Sequence, residues 1–470
     1  MNCLSKKNIY LVFGIGKTGI AIIDFLQKQG KNFYVSDDDV EKLKKVVVGK
    51  KKLEEKYKLY NINERIIKEK NINFLVLSPS VHAQKDPNKV VVLAKKLHIR
   101  IIADIDLFYR YLREYNKKNN TDKKIIGITG TNGKSTTTAL IAFLLNKFKK
   151  KAIACGNIGL NVLSVDVKKY DYFIVEMSSY NLFLFDNVSF YSGVLLNITE
   201  DHLAYHGTMS NYVAAKAKLL ESSNIKIICI DDKYTFRLIK NKKKNVKNSQ
   251  KNIVCVSVKK ILKEGLSFYN GFCYYNGLSV FKDNFKNLPG EHNLENILCS
   301  VACVLKINKT AKKEEIYNIF KYAGLFHGLP HRIQFVRKKD NVVFINDSKG
   351  TNADSTQKAL KVFSDKDIYL IAGGERKTAG FFFLKNDLKN VKCVFLIGDA
   401  TDSFAEELKE MRIKHVKCYN MKNAVLSSFK EARNNKNKSI VLLSPLCASF
   451  DQYKDFEDRG NDFIKIVNSL

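Results

Sequence analysis

The stretch GITGTNGKSTTTALIAFLL, residues 127–145, constrains the chain more than any other. A hydrophobic run that reads as a buried strand enters a loop carrying Gly130, Gly133, Lys134 and Ser135, and an apolar helix follows. Such a loop turns backbone N–H groups toward a phosphate at the positive end of the helix. Lys134 adds a cation for the β- and γ-phosphates, and the Ser135 hydroxyl is a ligand type for Mg²⁺. The common phosphate-loop spacing would place the first glycine at 128, which is Ile, so the loop is a variant. It calls for an α/β domain with a mainly parallel sheet.

Strand and helix patterns alternate along most of the chain. NFLVLS at 73–78, IRIIADIDLF near 99–108, DYFIVEMSS at 171–179 and SGVLLNIT at 192–199 continue the alternation. Further on, NVVFINDS, DIYLIAGG, CVFLIGDA and SIVLLSP read as four more strands. The polar LREYNKKNNTDKK at 112–124 reads as a linker, the lysine-rich region around 240–290 as less regular, and GLFHGLPHR at 324–332 as a second boundary. Three α/β domains are therefore expected, over 1–112, 113–328 and 329–470.

A second glycine motif lies in IYLVFGIGKTGIAII, residues 9–23. Gly14, Gly16 and Gly19 give G-x-G-x-x-G between a strand and a helix, with Asp37 ending the next strand. Two readings compete: a dinucleotide whose diphosphate meets the glycines and whose ribose meets Asp37, or glycines that only allow tight packing. Hydride transfer has no use for a triphosphate loop, which tilts the chain away from a nicotinamide cofactor.

Composition narrows the classes. The net charge is +33, but its lysines run through asparagine-rich stretches and are seldom interleaved with aromatics. That pattern fits a genome-wide bias and an attraction for anionic substrates, not a nucleic-acid surface. No apolar run approaches the ~20 residues of a membrane span, and the N-terminus runs straight into a strand. Ten cysteines occur without a C-x-x-C pair. A soluble, unprocessed, monomeric, cytoplasmic protein is expected, with no membrane insertion and no nucleic-acid partner.

Downstream of the phosphate loop, Glu176 ends a strand where a carboxylate can hold nucleotide-bound Mg²⁺. NITEDHLAYHGT puts Asp201 and His202 after the next strand, and YVAAKAKLL places Lys216 on the helix that follows. Taken singly, His202 and Lys216 would be ordinary loop and surface residues. The ordered series TGTNGKST, GNIG, EMSSYNL, NITEDHL, AAKAKLL, GEHNLEN, GLPHR, NDSKGTN, GGERK and LSPLCASFDQYKDFEDRG resembles the Mur ligases across nearly the whole chain. The last segment resembles the branch that adds D-glutamate, and the D-N-P-R segment of diaminopimelate-adding relatives is absent.

The resemblance implies a Rossmann-like N-terminal domain for UDP, a central P-loop ATPase-like domain, and a Rossmann-like C-terminal domain for the amino acid. It implies ATP-dependent addition of D-glutamate to UDP-N-acetylmuramoyl-L-alanine, through an acyl phosphate, in cytoplasmic peptidoglycan precursor synthesis. The UDP substrate would meet Gly14, Gly16, Lys17, Thr18, Gly19, Asp37, Ser80, Asn157, Ser178, Asn181 and His202. ATP would meet Gly130, Thr131, Asn132, Gly133, Lys134, Ser135 and Thr136, then Asn293 and Asn296 toward the adenine, Arg332 near the γ-phosphate and Asp347 at the ribose. Ser135 and Glu176 would hold one Mg²⁺, with His202 and a CO₂-derived carbamate on Lys216 at a second site. The catalytic set is then Lys134, Glu176, His202, Lys216 and Arg332, and D-glutamate would meet Thr351, Lys377, Ser449, Phe450 and Phe456. Ser80 in place of the family glycine, Asn181 in place of Gln, DHLAYH without Asp-Arg, and Gly380 in place of Asp depart from the pattern.

Overall fold

The computed structural model describes residues 7–49, 51–245, 252–285, 287–288, 290–376, 380–435 and 437–470. The run Ile9–Phe13, buried from Tyr10 onward, lies inside a four-stranded parallel sheet. Asn32–Ser36 flanks it on one side, and Phe74–Leu77 followed by Arg100–Ile102 on the other. Near-continuous apolar runs are what strands of a parallel sheet need, since both faces are covered.

The helix Asp104–Asn119 corrects the linker expected over 112–124. Leu112 is buried, Tyr111 and Tyr115 pack on the same core, and the helix stops only where Asn120 turns to φ 49. Lysine and asparagine there clothe the solvated faces of an amphipathic helix, which by composition alone resembles a linker.

The strand that feeds the phosphate loop, Lys124–Thr129, sits between Phe190–Leu195 and Tyr172–Glu176 in a nine-stranded sheet. Ala152–Gly156 closes one edge. On the other side Ser223–Cys229, Ile253–Ser257 and Leu266–Tyr269 continue in parallel, then Phe272–Tyr275 and Leu278–Lys282 run antiparallel. The region around 240–290 is thus regular where described, contrary to expectation. Asn270–Gly271 (φ 46 and 79) and Asn276–Gly277 (φ 49 and 80) supply the left-handed pairs of tight hairpin turns.

One hydrophobic cluster runs from Tyr10 and Phe74 through Phe108 to Phe173, Phe190 and Leu219, so both sheets share it. Phe108 meets Phe173 edge to face at 5.1 Å. Residues Met1–Lys286 with Glu291–Phe326 form one compact unit, and Asn287–Gly290 with His327–Leu470 form a second.

The second unit is built on a six-stranded sheet in the order Gln334–Lys339, Val342–Asn346, Ser439–Leu443, Asp367–Gly373, Val391–Ile397, His415–Tyr419. Only the first of these is antiparallel. The two edge strands add to the four expected. Their half-exposed, lysine-bearing patterns lack the apolar run of the inner strands, and charge is how an edge avoids pairing with other chains. Among the described residues no helix is long and apolar enough to cross a membrane.

Candidate active site

The first glycine motif resolves position by position. Gly14 sits at φ 93, and a Cβ there would lie 2.8 Å from Ser78 Cβ; a Cβ on Gly19 would lie 2.0 Å from Gly14 O. Packing demands both. At Gly16 the nearest atom to a Cβ is Ser78 Oγ at 3.8 Å, so only this glycine leaves its backbone open to a ligand. Asp37 closes the loop, accepting from Ile15 N at 2.5 Å and Asp39 N at 3.0 Å, with Lys42 Nζ at 3.2 Å. Burial works against its charge, but these donors outweigh it and hold the carboxyl below its usual range. Lys17 is exposed and Thr18 half-buried in the first turn of the helix Lys17–Lys28. Ser80 is exposed in a turn closed by Val81 N on Ser78 O, with no positive φ, so replacing glycine there costs no backbone strain.

In the phosphate loop Lys134 Nζ donates back to Gly130 O at 3.0 Å and Thr131 O at 2.8 Å. Asn197 braces the loop, its Oδ1 accepting from Asn132 N at 2.9 Å. Thr131 Oγ1 lies 3.0 Å from Tyr212 OH. Gly133, at φ 82, caps the helix Lys134–Lys147, and a Cβ there would lie 2.1 Å from Asn296 Oδ1. Asn296 Oδ1 also accepts from Thr137 Oγ1 at 3.2 Å, and its Nδ2 donates to Asn293 Oδ1 at 3.1 Å. Of the two asparagines expected at an adenine, Asn296 thus touches the first turns of the helix after the loop, and Asn293 bonds Asn296. Ser135 is buried and Thr136 half-buried in the first turn.

Lys216 is 1% exposed, and its Nζ donates to Gly130 O at 2.8 Å, 4.7 Å from the Tyr212 ring centre. Burial, then the charge of Lys134, hold its ammonium well below the usual lysine range, against the pull of Asp201. His202, at φ 55, caps the short helix Leu203–His206; its Nε2 is 3.2 Å from Asp201 Oδ2 and its Nδ1 is 2.8 Å from Tyr180 OH. Burial lowers its pKa, Asp201 opposes, and Lys134 and Lys216 add to the lowering.

Glu176 ends its strand buried, and its Oε2 has no hydrogen-bond partner. A buried carboxylate oxygen left unpaired is costly, and a hard cation is the natural partner. Among the described residues no three His, Cys, Asp or Glu side chains converge as a metal cage. Mg²⁺ takes one or two carboxylates and keeps its remaining shell for water and phosphate oxygens.

A small cavity gathers Thr18 and Pro79 from the first sheet with Asp104, Asn157, Glu176 and Asn181. Asn157 is exposed at its mouth. Ser178 caps the helix Ser179–Leu184 and bonds Asn181 Oδ1, while Asn181 Nδ2 is 3.4 Å from Asp104 Oδ1. The short Asn181 side chain is thus held by its neighbours. His206, which the sequence did not single out, is fully buried between Gln84 Oε1 at 2.6 Å and Ser179 Oγ at 2.9 Å, tying a loop of the first sheet to the second.

In the second unit Arg332 is half-buried beside His331, whose φ is 61. Asp347 accepts from Ile333 N at 3.2 Å and Ser444 Oγ at 2.8 Å, and burial pushes its pKa up to about 7. A carboxylate has lone pairs left for a further donor. Thr351 is half-buried, Ser449 buried and Phe450 69% exposed. Phe456 opens the helix Phe456–Ser469, with Lys349 Nζ 4.6 Å from its ring centre. Lys377 lies outside the described residues. A Cβ on Gly380 would lie 2.2 Å from Glu407 Oε2, which accepts from Phe381 N at 2.7 Å, so an aspartate there would require the Glu407 carboxylate to swing away from Phe381 N.

Residues 128–304 match the Mur ligase middle domain, and 331–447 match the Mur ligase, glutamate ligase domain. Curated relatives named UDP-N-acetylmuramoylalanine--D-glutamate ligase match over full length. The one from Wolbachia pipientis is 34% identical, covering 100% of this chain and 98% of its own. Those from Rickettsia bellii and Caldicellulosiruptor bescii are each 35% identical, covering 99% of this chain and 99% and 98% of their own. The chain belongs to the Mur ligase family. Solved Mur ligases share the fold: the UDP-N-acetylmuramate-alanine ligase MurC of Thermotoga maritima has a TM-score of 0.57 at 16% identity, covering 98% of this chain and 99% of its own. The MurF ligase of the same organism, solved with ADP, has a TM-score of 0.54 at 16% identity and covers all of both chains.

Within this Mur ligase, sequence reasoning passed over Asn197, Tyr212, Tyr180, Asp104 and His206, which brace the site in the first unit, and Arg459, which hydrogen-bonds the loops of the second. Most are polar residues in unremarked positions of motifs already quoted. Contacts made across the fold distinguish them, and those contacts are not visible in a single sequence.

Proposed function

We propose that the chain joins D-glutamate to UDP-N-acetylmuramoyl-L-alanine at the expense of ATP, in cytoplasmic peptidoglycan precursor synthesis. The observation that carries the chemistry is Lys216: a buried amine against Gly130 O, beside the phosphate loop. A carboxylate is a poor acyl donor because oxide is a poor leaving group. The alanine carboxylate oxygen attacks the γ-phosphorus, ADP departs, and an acyl phosphate forms. The D-glutamate amine then attacks the carbonyl carbon, loses a proton, and phosphate departs to leave the amide. Positioning and charge neutralisation supply most of the rate.

Lys134 leaves its two carbonyls for the β- and γ-phosphates, and Ser135 with Glu176 would hold one Mg²⁺ while His202 and Lys216 border a second. The ion neutralises phosphate charge when bound. A depressed pKa favours the free amine of Lys216, the form that reacts with CO₂; the resulting carbamate is an anionic oxygen ligand, which an ammonium is not. The open backbone at Gly16 suits the UDP diphosphate, and the cavity of Thr18, Asn157 and Asn181 suits the muramoyl-alanine arm. Thr351, Lys377, Ser449, Phe450 and Phe456 form the acceptor site, Lys377 pairing with the side-chain carboxylate. By the resemblance, Arg332 would contact the γ-phosphate of ATP and Asp347 its ribose.

Phosphate release with ATP and UDP-N-acetylmuramoyl-L-alanine, offering D-glutamate, L-glutamate, L-lysine and glycine separately, tests this. Turnover is expected with D-glutamate alone. Turnover with another amino acid would move the specificity, and silence with all four would overturn the ligase assignment.

A further inference from the structure

The second unit holds a buried cation to which the reaction above gives no task. Arg459 is 1% exposed, in the first turn of the helix Phe456–Ser469. Its Nε donates to Ser348 Oγ at 3.0 Å, Nη2 to Ser348 O at 2.9 Å and Cys447 O at 3.1 Å, and Nη1 to Ala448 O at 3.1 Å and Gly373 O at 3.5 Å. None of these acceptors is a carboxylate. Burial lowers its pKa to about 10, which still leaves it charged near neutrality. A buried charge persists only where hydrogen bonds saturate it, and a guanidinium has the donor count and planar fork to do so among carbonyls.

The acceptors are not scattered. Ser348 follows the strand Val342–Asn346, Gly373 ends Asp367–Gly373, and Cys447 and Ala448 follow Ser439–Leu443. These three strands are neighbours and parallel, so the loops meet at their carboxyl ends, where α/β sheets bind ligands. Thr351 lies three residues beyond Ser348, and Ser449 directly follows Ala448. Ser348 Oγ donates to Phe456 O at 2.8 Å, and Glu375 and Ala448 exchange backbone hydrogen bonds at 3.0 and 3.1 Å. One side chain therefore spaces the loops that carry Thr351 and Ser449 and the helix that Phe456 opens.

We propose that Arg459 is the positioning residue of the amino-acid acceptor site, fixing the spacing of these three loops so that D-glutamate is gripped, without touching D-glutamate itself. The inference rests on the acceptor site proposed above, so its test carries a separate control for that site. The full-length enzyme is prepared as R459K and R459M, beside T351A and S449A, and KM for D-glutamate, ATP and the UDP substrate is measured where circular dichroism shows each variant folded. In R459K the charge stays but five donors become three. KM for D-glutamate is expected to rise about tenfold there and more in R459M, with the other two KM values within about twofold, because a misplacement of about 1 Å can cost 10²-fold. T351A and S449A are expected to raise the same KM. An R459K enzyme with KM for D-glutamate unchanged, or with all three KM values raised alike, overturns the positioning role. Flat KM values in T351A and S449A beside a raised one in R459K would overturn the acceptor residues and leave the positioning role standing. Should R459M not fold, R459K decides.

Discussion

Lys134 and Arg459 make the same kind of contact to opposite ends. Each is a cation resting on backbone carbonyls, Lys134 on Gly130 and Thr131, Arg459 on Ser348, Gly373, Cys447 and Ala448. Lys134 is half-buried, and in the function proposed above phosphate oxygens would take the place of its carbonyl partners. Arg459 is sealed in and bound on every nitrogen, so its contacts are permanent. Burial and the donor count of the guanidinium together set Arg459 apart from Lys134.

The largest effect that would break this contrast is at the loop. Lys134→Met is expected to lower phosphate release by about 10²–10³-fold, the scale of one lost charge-stabilising donor, with the thermal midpoint little changed. Near-normal turnover would make Lys134 as structural as Arg459. Next comes Lys216→Ala, expected to lose activity by about 10²-fold and to regain part of it when short carboxylates are added, since these replace a carbamate's oxygens. An undiminished rate would remove Lys216 from the site. On the holding side, Gly460→Ala puts a Cβ 2.2 Å from His331 Nδ1. It should destabilise the second unit by about 1–3 kcal/mol in denaturant titrations, the usual cost of overpacking; an unchanged midpoint would mean that the helix carrying Arg459 is not tightly seated.

The smallest effect concerns His206, whose pKa burial lowers to about 4 from 6.5. As pH falls the unfolded chain takes up this proton first, so the stabilisation is full above pH 6.5 and is lost toward pH 4. The difference in thermal midpoint between the parent and His206→Gln should narrow across that window. A constant difference would mean that His206 is not held neutral.

Local chemistry was the legible part. The phosphate loop, the strand-end Glu176 and the glycines of the first motif announce themselves because glycine, lysine and strand periodicity each have a direct structural meaning. The Asn-Gly pairs at 270 and 276 carried an equally direct signal, a hairpin turn, and were overlooked because the whole stretch around 240–290 was read by its composition. The edge strand Gln334–Lys339 was not legible, since half-exposed alternation with three basic residues resembles a loop. Arg459 is the extreme case. In sequence it is one more charged residue in a helix turn, and only the convergence of three loops, distant along the chain, makes it a core residue.

The cluster that joins Tyr10 to Leu219 has a bearing on how such a chain can change through descent. With Phe108 seated against Phe173, the first sheet and the second are one cooperative object and not two beads on a string. Moving the first sheet onto another protein by recombination would tear an apolar seam from both fragments. Side chains at the loop tips can change one at a time and leave that seam intact.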